Sequence, residues 1–245
     1  MCRHLAYAGP PVPLGQWLFD LPHALSHQAW APRDMRGGGT INADGFGVGW
    51  YTPGGPVRYR RATPLWSDAT LPALAASVEA PMVLAAVRSA TVGMPVVETA
   101  AAPFAAGSWF FSHNGVVAGW PDSVAKLAAA LEVTDLLTLD APTDSAVLWA
   151  LVRSHLRRGL PPSDAVAVTI AEVAAVAPGS RLNLLLTDGV SVAASTWGHA
   201  LSVRRDADSV LIASEPLDDD PAWAAVPDRT LVVAGATSLT MEELR

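Results

Sequence analysis

The stretch RLNLLLTDGVSVAAST, residues 181–196, sets the fold class of this chain. Two aliphatic and β-branched runs flank Asp188-Gly189, a dipeptide that suits the primed two-residue turn matching the twist of a hairpin. From residue 181 to the end almost everything reads as strand or turn, with runs at 181–187, 190–196, 201–204, 209–213 and 230–233. Upstream, strand-like runs fall at 3–7, 47–51, 57–61, 82–87 and 109–112. Helical periodicity appears at 14–21, 71–79, 122–131, 144–158 and 164–176. The clearest helix is 144–158, where Leu148, Leu151, Val152, His155 and Leu156 recur at helical spacing before Gly159 and Pro161 stop it. Helices grouped in the middle and strands gathered at the end predict an antiparallel, layered α+β fold rather than regular βαβ winding. Neither a fixed-period repeat nor a Ser/Gly linker interrupts the chain, so one domain spanning 1–245 is expected. Gly37-Gly38-Gly39 reads as a mobile loop and residues 218–221 as an acidic surface turn.

Composition narrows the function. Lys and Arg number 16 against 23 Asp and Glu, a formal net charge of −7, so nucleic acid is the wrong partner. The hydrophobic fraction of 51% gives ample material for a core and excludes disorder. No run of about 18 apolar residues offers a membrane span, and Gly9, Pro10, Pro11 and Pro13 break any signal-peptide core. With Cys2 the single cysteine, no disulfide framework is available, and a cytoplasmic protein is expected. The scattered histidines supply no recognised metal-ligand spacing, and Gly45, Gly47 and Gly49 do not form a dinucleotide fingerprint. Neither metal nor cofactor is therefore expected. A close backbone approach within a strand explains those three glycines better.

Cys2 carries interest through its position. Buried, inert thiols are the usual state of free cysteine. Removal of Met1, however, would leave a thiol and a free α-amine on one residue. That amine, with an ordinary pKa near ~7.7–8.0, can serve as the local base. Three further segments bear on it. Arg88-Ser89-Ala90-Thr91 follows the apolar run 82–87, and a guanidinium at a strand end can grip a carboxylate bidentately. His113-Asn114-Gly115 follows 109–112; alone, Asn-Gly is a common turn signal, but an amide beside a glycine N–H also suits an oxyanion hole. Pro142-Thr143-Asp144-Ser145 opens the clearest helix, where Asp144 fits either a first-turn acid or a ligand for an ammonium.

In this order and spacing the segments resemble the glutaminase domain of class II glutamine amidotransferases, which are N-terminal-nucleophile hydrolases. The likeness covers positions 2 to about 216. It includes the glycine-rich run Asn42-Ala43-Asp44-Gly45-Phe46-Gly47-Val48-Gly49-Trp50 and the later Ser214-Glu215-Pro216. The resemblance implies a four-layer αββα sandwich with Cys2 as nucleophile and Asn114 with Gly115 as oxyanion hole. It implies Arg88 for the substrate α-carboxylate and Asp144 for its α-ammonium, with Thr91 and His113 as further substrate-binding candidates. One departure is Val92, where many members carry histidine.

The chain also ends where the glutaminase domain would end, so no synthase domain is expected to receive ammonia. The runs Trp30-Ala31-Pro32-Arg33, Asn42–Gly49, Ala85–Pro95, Ala213–Pro216 and Val226-Pro227-Asp228-Arg229 are similar to the amidohydrolase subfamily of ergothioneine biosynthesis. That likeness implies a small-molecule γ-glutamyl substrate, γ-glutamyl-cysteinyl-hercynine sulfoxide, cleaved to glutamate and hercynylcysteine sulfoxide. Alternatives are a hydrolase of glutathione or other γ-glutamyl compounds, and a non-catalytic subunit with the same fold. The low charge fraction would suit a homodimer interface. The leaving group of the implied substrate is a quaternary ammonium, which aromatic faces hold well. Trp30, Trp50 or Trp66 is therefore expected beside the site.

Overall fold

The computed structural model describes residues 2–34, 36, 38 and 41–244. In chain order its strands are β1 (Arg3–Pro13), β2 (Phe46–Thr52), β3 (Gly55–Arg61), β4 (Glu79–Val87), β5 (Phe104–Ala106), β6 (Trp109–Val116) and β7 (Arg181–Thr187). They continue as β8 (Val192–Thr196), β9 (Ser202–Arg205), β10 (Val210–Ala213), β11 (Trp223–Ala225), β12 (Thr230–Gly235) and β13 (Ser238–Glu243). The α-helices are α1 (Leu25–Gln28), α2 (Leu71–Ser77), α3 (Ala125–Ala129), α4 (Val133–Leu137), α5 (Asp144–Arg157) and α6 (Pro162–Val176).

Two sheets form, ordered β11-β9-β10-β1-β4-β2-β3 and β13-β12-β8-β7-β6-β5, and every pairing is antiparallel. Three apolar clusters show how they stack. Leu5, Tyr7, Val48 and Val83 pack against Trp17, Leu18, Leu25 and Leu71 on the outer side of the seven-stranded sheet. Phe111, Leu184 and Leu186 pack under Leu148, Val152, Val166 and Ile170 of α5 and α6 on the outer side of the other. Between the sheets lie Ala6, Leu84, Ile212, Phe110, Leu185 and Val232. The architecture is thus the expected four-layer αββα sandwich. Strands such as β1 bury both faces, which is why their sequences read as near-continuous apolar runs rather than alternating ones. Small side chains on the inner face let the sheets close: a Cβ at Gly49 would meet the Phe110 ring at 2.8 Å.

Helix α5 follows its sequence signals closely. Thr143 caps it by accepting from the Ala146 N–H at 3.3 Å. Its end carries paired bonds from Gly159 N to Leu156 O and from Leu160 N to His155 O, with Gly159 at φ +87°. These features form a Schellman cap.

Other expectations needed revision. The Asp188-Gly189 hairpin closes through four residues rather than two, because Thr187 pairs with Val192. The Asp188 carboxylate accepts from the N–H groups of Val190 and Ser191, which holds the wider loop. Asn114-Gly115 is no turn at all: it lies within β6, opposite Asn183 and Leu182. β1 runs on through its prolines to Pro13 by a register shift between Ala8 and Val12, so the bulge absorbs residues that cannot donate to a ladder. The 14–21 helix contains a π-helical turn over Gln16–Asp20, and the 122–131 helix splits into a 3-10 turn and α3. The short elements α1, α4, β5, β11 and β13 carry too few periodic residues to have been read. Gly37 and Gly39 of the expected loop, like Met1, lie outside the described residues. No described helix is long and apolar enough to cross a membrane.

Candidate active site

Four chain segments converge where the two sheets meet. β1 and β4 are neighbours with Arg3 opposite Val87, so Cys2 and Arg88 leave the same end of the seven-stranded sheet. The Cys2 Sγ lies 3.7 Å from the Ser89 carbonyl oxygen. Cys2, Arg88, His113 and Ser145 line one small void of about 20 Å³, together with Ala86, Val87, Ala100, Ala102 and Phe104. Thr91 lies on an adjoining groove of about 500 Å³, whose walls include Met94, Val116, Val117, Trp120 and Pro142.

Local chemistry fixes each segment. The Arg88 N–H donates to Gly45 O at 2.7 Å, the Asp44 N–H donates to Arg88 O, and the Asp44 carboxylate accepts from Ala90 N–H at 2.8 Å. Asp44-Gly45 therefore clamps the segment carrying Arg88. Gly45 is needed there, because its φ is +127° and a Cβ would sit 2.9 Å from the Arg61 carbonyl. The Arg88 guanidinium folds onto its own loop and donates from Nη1 to Pro95 O at 2.8 Å.

His113 and Asp144 are joined through Ser145. The His113 Nε2 faces Arg181 O at 2.9 Å, and since a carbonyl only accepts, Nε2 carries a proton. In the neutral ring Nδ1 then accepts from the Ser145 hydroxyl at 2.9 Å. Asp144 is buried at the start of α5; its Oδ2 accepts from Val117 N–H at 3.0 Å and its Oδ1 from Ser145 N–H at 2.7 Å. Gly115 is a glycine for want of space: a Cβ would lie 1.8 Å from the Arg181 carbonyl oxygen and 2.6 Å from His113 Nε2.

Behind these residues lies a polar cluster of which only Glu215 and Arg33 belong to motifs quoted from the sequence. His4 is fully buried on β1, and its Nδ1 lies 3.1 Å from the Ser112 hydroxyl of β6. Burial, reinforced by the neighbouring His113, His199 and Arg3, pushes the His4 pKa down to about 3, so the ring is neutral. His199, buried and accepting from Arg181 Nε at 3.0 Å, is held neutral in the same way at about 3. The buried Arg3 guanidinium donates to the carbonyls of Cys2 and Asp34, and burial lowers its pKa against the opposing charges of Glu215 and Asp34. Glu215 in turn accepts from the N–H groups of Arg33 and Asp34. A signal for this cluster was present: His4 and Ser112 are polar residues inside apolar strands.

The tryptophan expectation does not hold as framed. Trp50 is packed in the apolar layer outside the seven-stranded sheet. Trp30, which stacks on His27, and Trp66 are each about half exposed; neither lines the void or the adjoining groove. Trp120 is the tryptophan on that groove.

Residues 18–207 match the family profile of class-II glutamine amidotransferases. The chain belongs to this family. It is 45% identical over 233 residues to the gamma-glutamyl-hercynylcysteine sulfoxide hydrolase of Mycolicibacterium smegmatis, covering 95% of both chains. It is 42% identical over 244 residues to the enzyme of that name from Mycobacterium tuberculosis, covering all of this chain and 97% of the relative. Among solved structures, a glutamine amidotransferase class-II domain protein of Silicibacter pomeroyi superposes over the full length of both chains with a TM-score of 0.71 at 26% identity. The glutamine phosphoribosylpyrophosphate amidotransferase of Bacillus subtilis superposes with a TM-score of 0.67 at 12% identity, and there the chain spans 49% of the larger protein. The class-II amidotransferase fold is thus shared well beyond sequence likeness. Among the described residues of this amidotransferase, no group of three or more His, Cys, Asp or Glu is placed to hold a metal ion.

Proposed function

We propose that this class-II amidotransferase hydrolyses the γ-glutamyl amide of γ-glutamyl-hercynylcysteine sulfoxide, releasing glutamate and hercynylcysteine sulfoxide for ergothioneine formation. The observation that carries this reading is 45% identity to a hydrolase of that name across 95% of both chains.

In this reading Met1 is removed and the freed α-amine of Cys2 takes the thiol proton. Sulfur attacks the γ-carbonyl carbon, and the Asn114 amide and Gly115 N–H hold the resulting oxyanion. The C–N bond then breaks, the amine leaves with a proton, and a γ-glutamyl thioester remains on Cys2. Water adds to the thioester, and collapse frees glutamate and the thiol. Arg88 binds the α-carboxylate and Asp144 the α-ammonium, with Thr91 on the groove that Val117 and Pro142 also line. An α-linked glutamyl group lacks a free α-carboxylate, so this pair selects the γ-linkage. His113 serves as a wall beside Cys2, because both of its nitrogens are already engaged.

A substrate panel tests the reading. Glutamate release from the hercynyl conjugate should exceed release from glutathione and from glutamine at equal concentration. The intact mass of active protein should lack Met1, and a diazo-oxo-norleucine adduct should map to Cys2. Preferred cleavage of glutathione would overturn the substrate assignment, and full activity with Met1 retained would overturn the mechanism.

A further inference from the structure

The nucleophile and the oxyanion-hole donors of the proposed reaction belong to different sheets: Cys2 precedes β1 in one, and Asn114 and Gly115 lie on β6 in the other. Apolar packing between the sheets is non-directional and does not by itself fix the distance between them. Ser214 follows β10, next to β1, and does supply a directional link. Its Oγ accepts from His4 N–H at 3.0 Å, accepts from Asn114 Nδ2 at 3.3 Å and donates to His4 O at 3.2 Å. Its own N–H also donates to His4 O at 2.9 Å. The hydroxyl's single proton and both its acceptor positions are thus used, and Ser214, His4 and Asn114 are all buried.

We propose that Ser214 is a positioning residue: its hydroxyl holds one N–H of the Asn114 amide, so the second is turned to the oxyanion at a fixed distance from the Cys2 strand. This inference rests on Asn114 acting as the oxyanion donor. A misplacement of about 1 Å in such a site can cost on the order of 100-fold in rate. Ser214 needs no contact with substrate to exert it.

The test is a double-mutant cycle on the full chain with the hercynyl conjugate as substrate. Asn114→Ala should lower kcat by about 100- to 1000-fold. Ser214→Ala should lower kcat by roughly 10-fold or more, leaving KM little changed. In the Asn114→Ala background the same Ser214→Ala change should cost less than about twofold, because the group it positions is gone. Equal losses in both backgrounds would show a general structural role and overturn the proposal, as would a KM effect without a kcat effect. Iodoacetamide supplies a second readout. Cys2 displaces iodide and forms a thioether without any oxyanion at a carbonyl, and as the single cysteine its labelling is unambiguous. Its alkylation rate should match wild type in Ser214→Ala; a large fall would mean the nucleophile itself has moved and would also refute the assignment. Should Ser214→Ala fail to fold, Ser214→Cys keeps the volume with a weaker acceptor and enters the same cycle. If Asn114→Ala retains wild-type kcat, the oxyanion reading fails and this inference with it. If Asn114→Ala is impaired as expected and the cycle is additive, only the Ser214 assignment fails.

Discussion

Replacing Gly115 by alanine tests the local geometry and the chemistry together. The added methyl would begin 1.8 Å from the carbonyl oxygen of Arg181, 2.6 Å from its carbonyl carbon and 2.6 Å from His113 Nε2. Two of these neighbours are backbone atoms, so no side-chain rotation relieves the contact. The oxygen must retreat by more than 1 Å to reach even 3.0 Å, which parts β6 from β7 where Gly115 faces Leu182 and Val116 faces Arg181. Overpacking of this kind costs about 1–3 kcal/mol, and each ladder hydrogen bond weakened adds roughly 0.5–1.5 kcal/mol. For a chain of this size each kcal/mol lowers Tm by about 2–4 °C, so a loss of about 3 kcal/mol means a fall of roughly 6–12 °C. The same displacement moves the Gly115 N–H by about 1 Å, which should reduce kcat on the order of 100-fold. Thermal unfolding and steady-state kinetics well below the new Tm measure the two effects separately. Gly189→Ala is the control: it carries a positive φ of +96° and would strike the Tyr51 ring at 2.5 Å, yet it lies past Thr187, the opposite end of β7 from Arg181. It should lose stability and keep kcat. Wild-type turnover in Gly115→Ala would refute the reasoning.

Two further outcomes follow from the electrostatics. His4 has a pKa of about 3 in the folded protein against 6.5 when exposed, so the unfolded chain binds the extra proton and stability falls as pH drops below about 6.5. At pH 5 this one group should account for about 2 kcal/mol. Urea unfolding at pH 7 and pH 5 should therefore show wild type losing about 2 kcal/mol more than His4→Gln, and equal losses would contradict the burial argument. Arg88→Lys keeps the charge but removes the planar fork; the KM for γ-glutamyl substrate should rise roughly 10- to 100-fold, and an unchanged KM would remove Arg88 from the α-carboxylate clamp.

Much of the architecture was legible because it is written locally. α5 declares its own start at Thr143 and its own stop at Gly159, and the apolar runs of β4, β7 and β10 are too continuous to sit at a surface. The hairpin at Asp188-Gly189 was visible, but its loop length was not, since the Asp188 side chain holds Val190 and Ser191 in a way no dipeptide preference encodes. β11 escaped notice because it is three residues long, and β13 because Leu239 and Met241 are the whole of its apolar signal on an exposed edge strand. For the site, motif order singled out Cys2, Arg88, His113, Asn114, Gly115 and Asp144. The expectation for Trp30, Trp50 and Trp66 failed because an aromatic count says nothing of which face of which layer a residue joins.

The division has a physical origin. Sequence alone determined which segments become strand or helix, and that a cysteine near the chain start accompanies an arginine, an Asn-Gly pair and a helix-opening aspartate. Those are properties of neighbours along the chain. Only the tertiary structure decided that Asn114-Gly115 lies inside a strand, that the Arg181 backbone leaves room for nothing but glycine at 115, and that one hydroxyl at Ser214 joins His4 to Asn114 across two sheets. Such contacts bring together residues far apart along the chain, as Ser214 is from Asn114 and His4, at distances set by how whole layers pack.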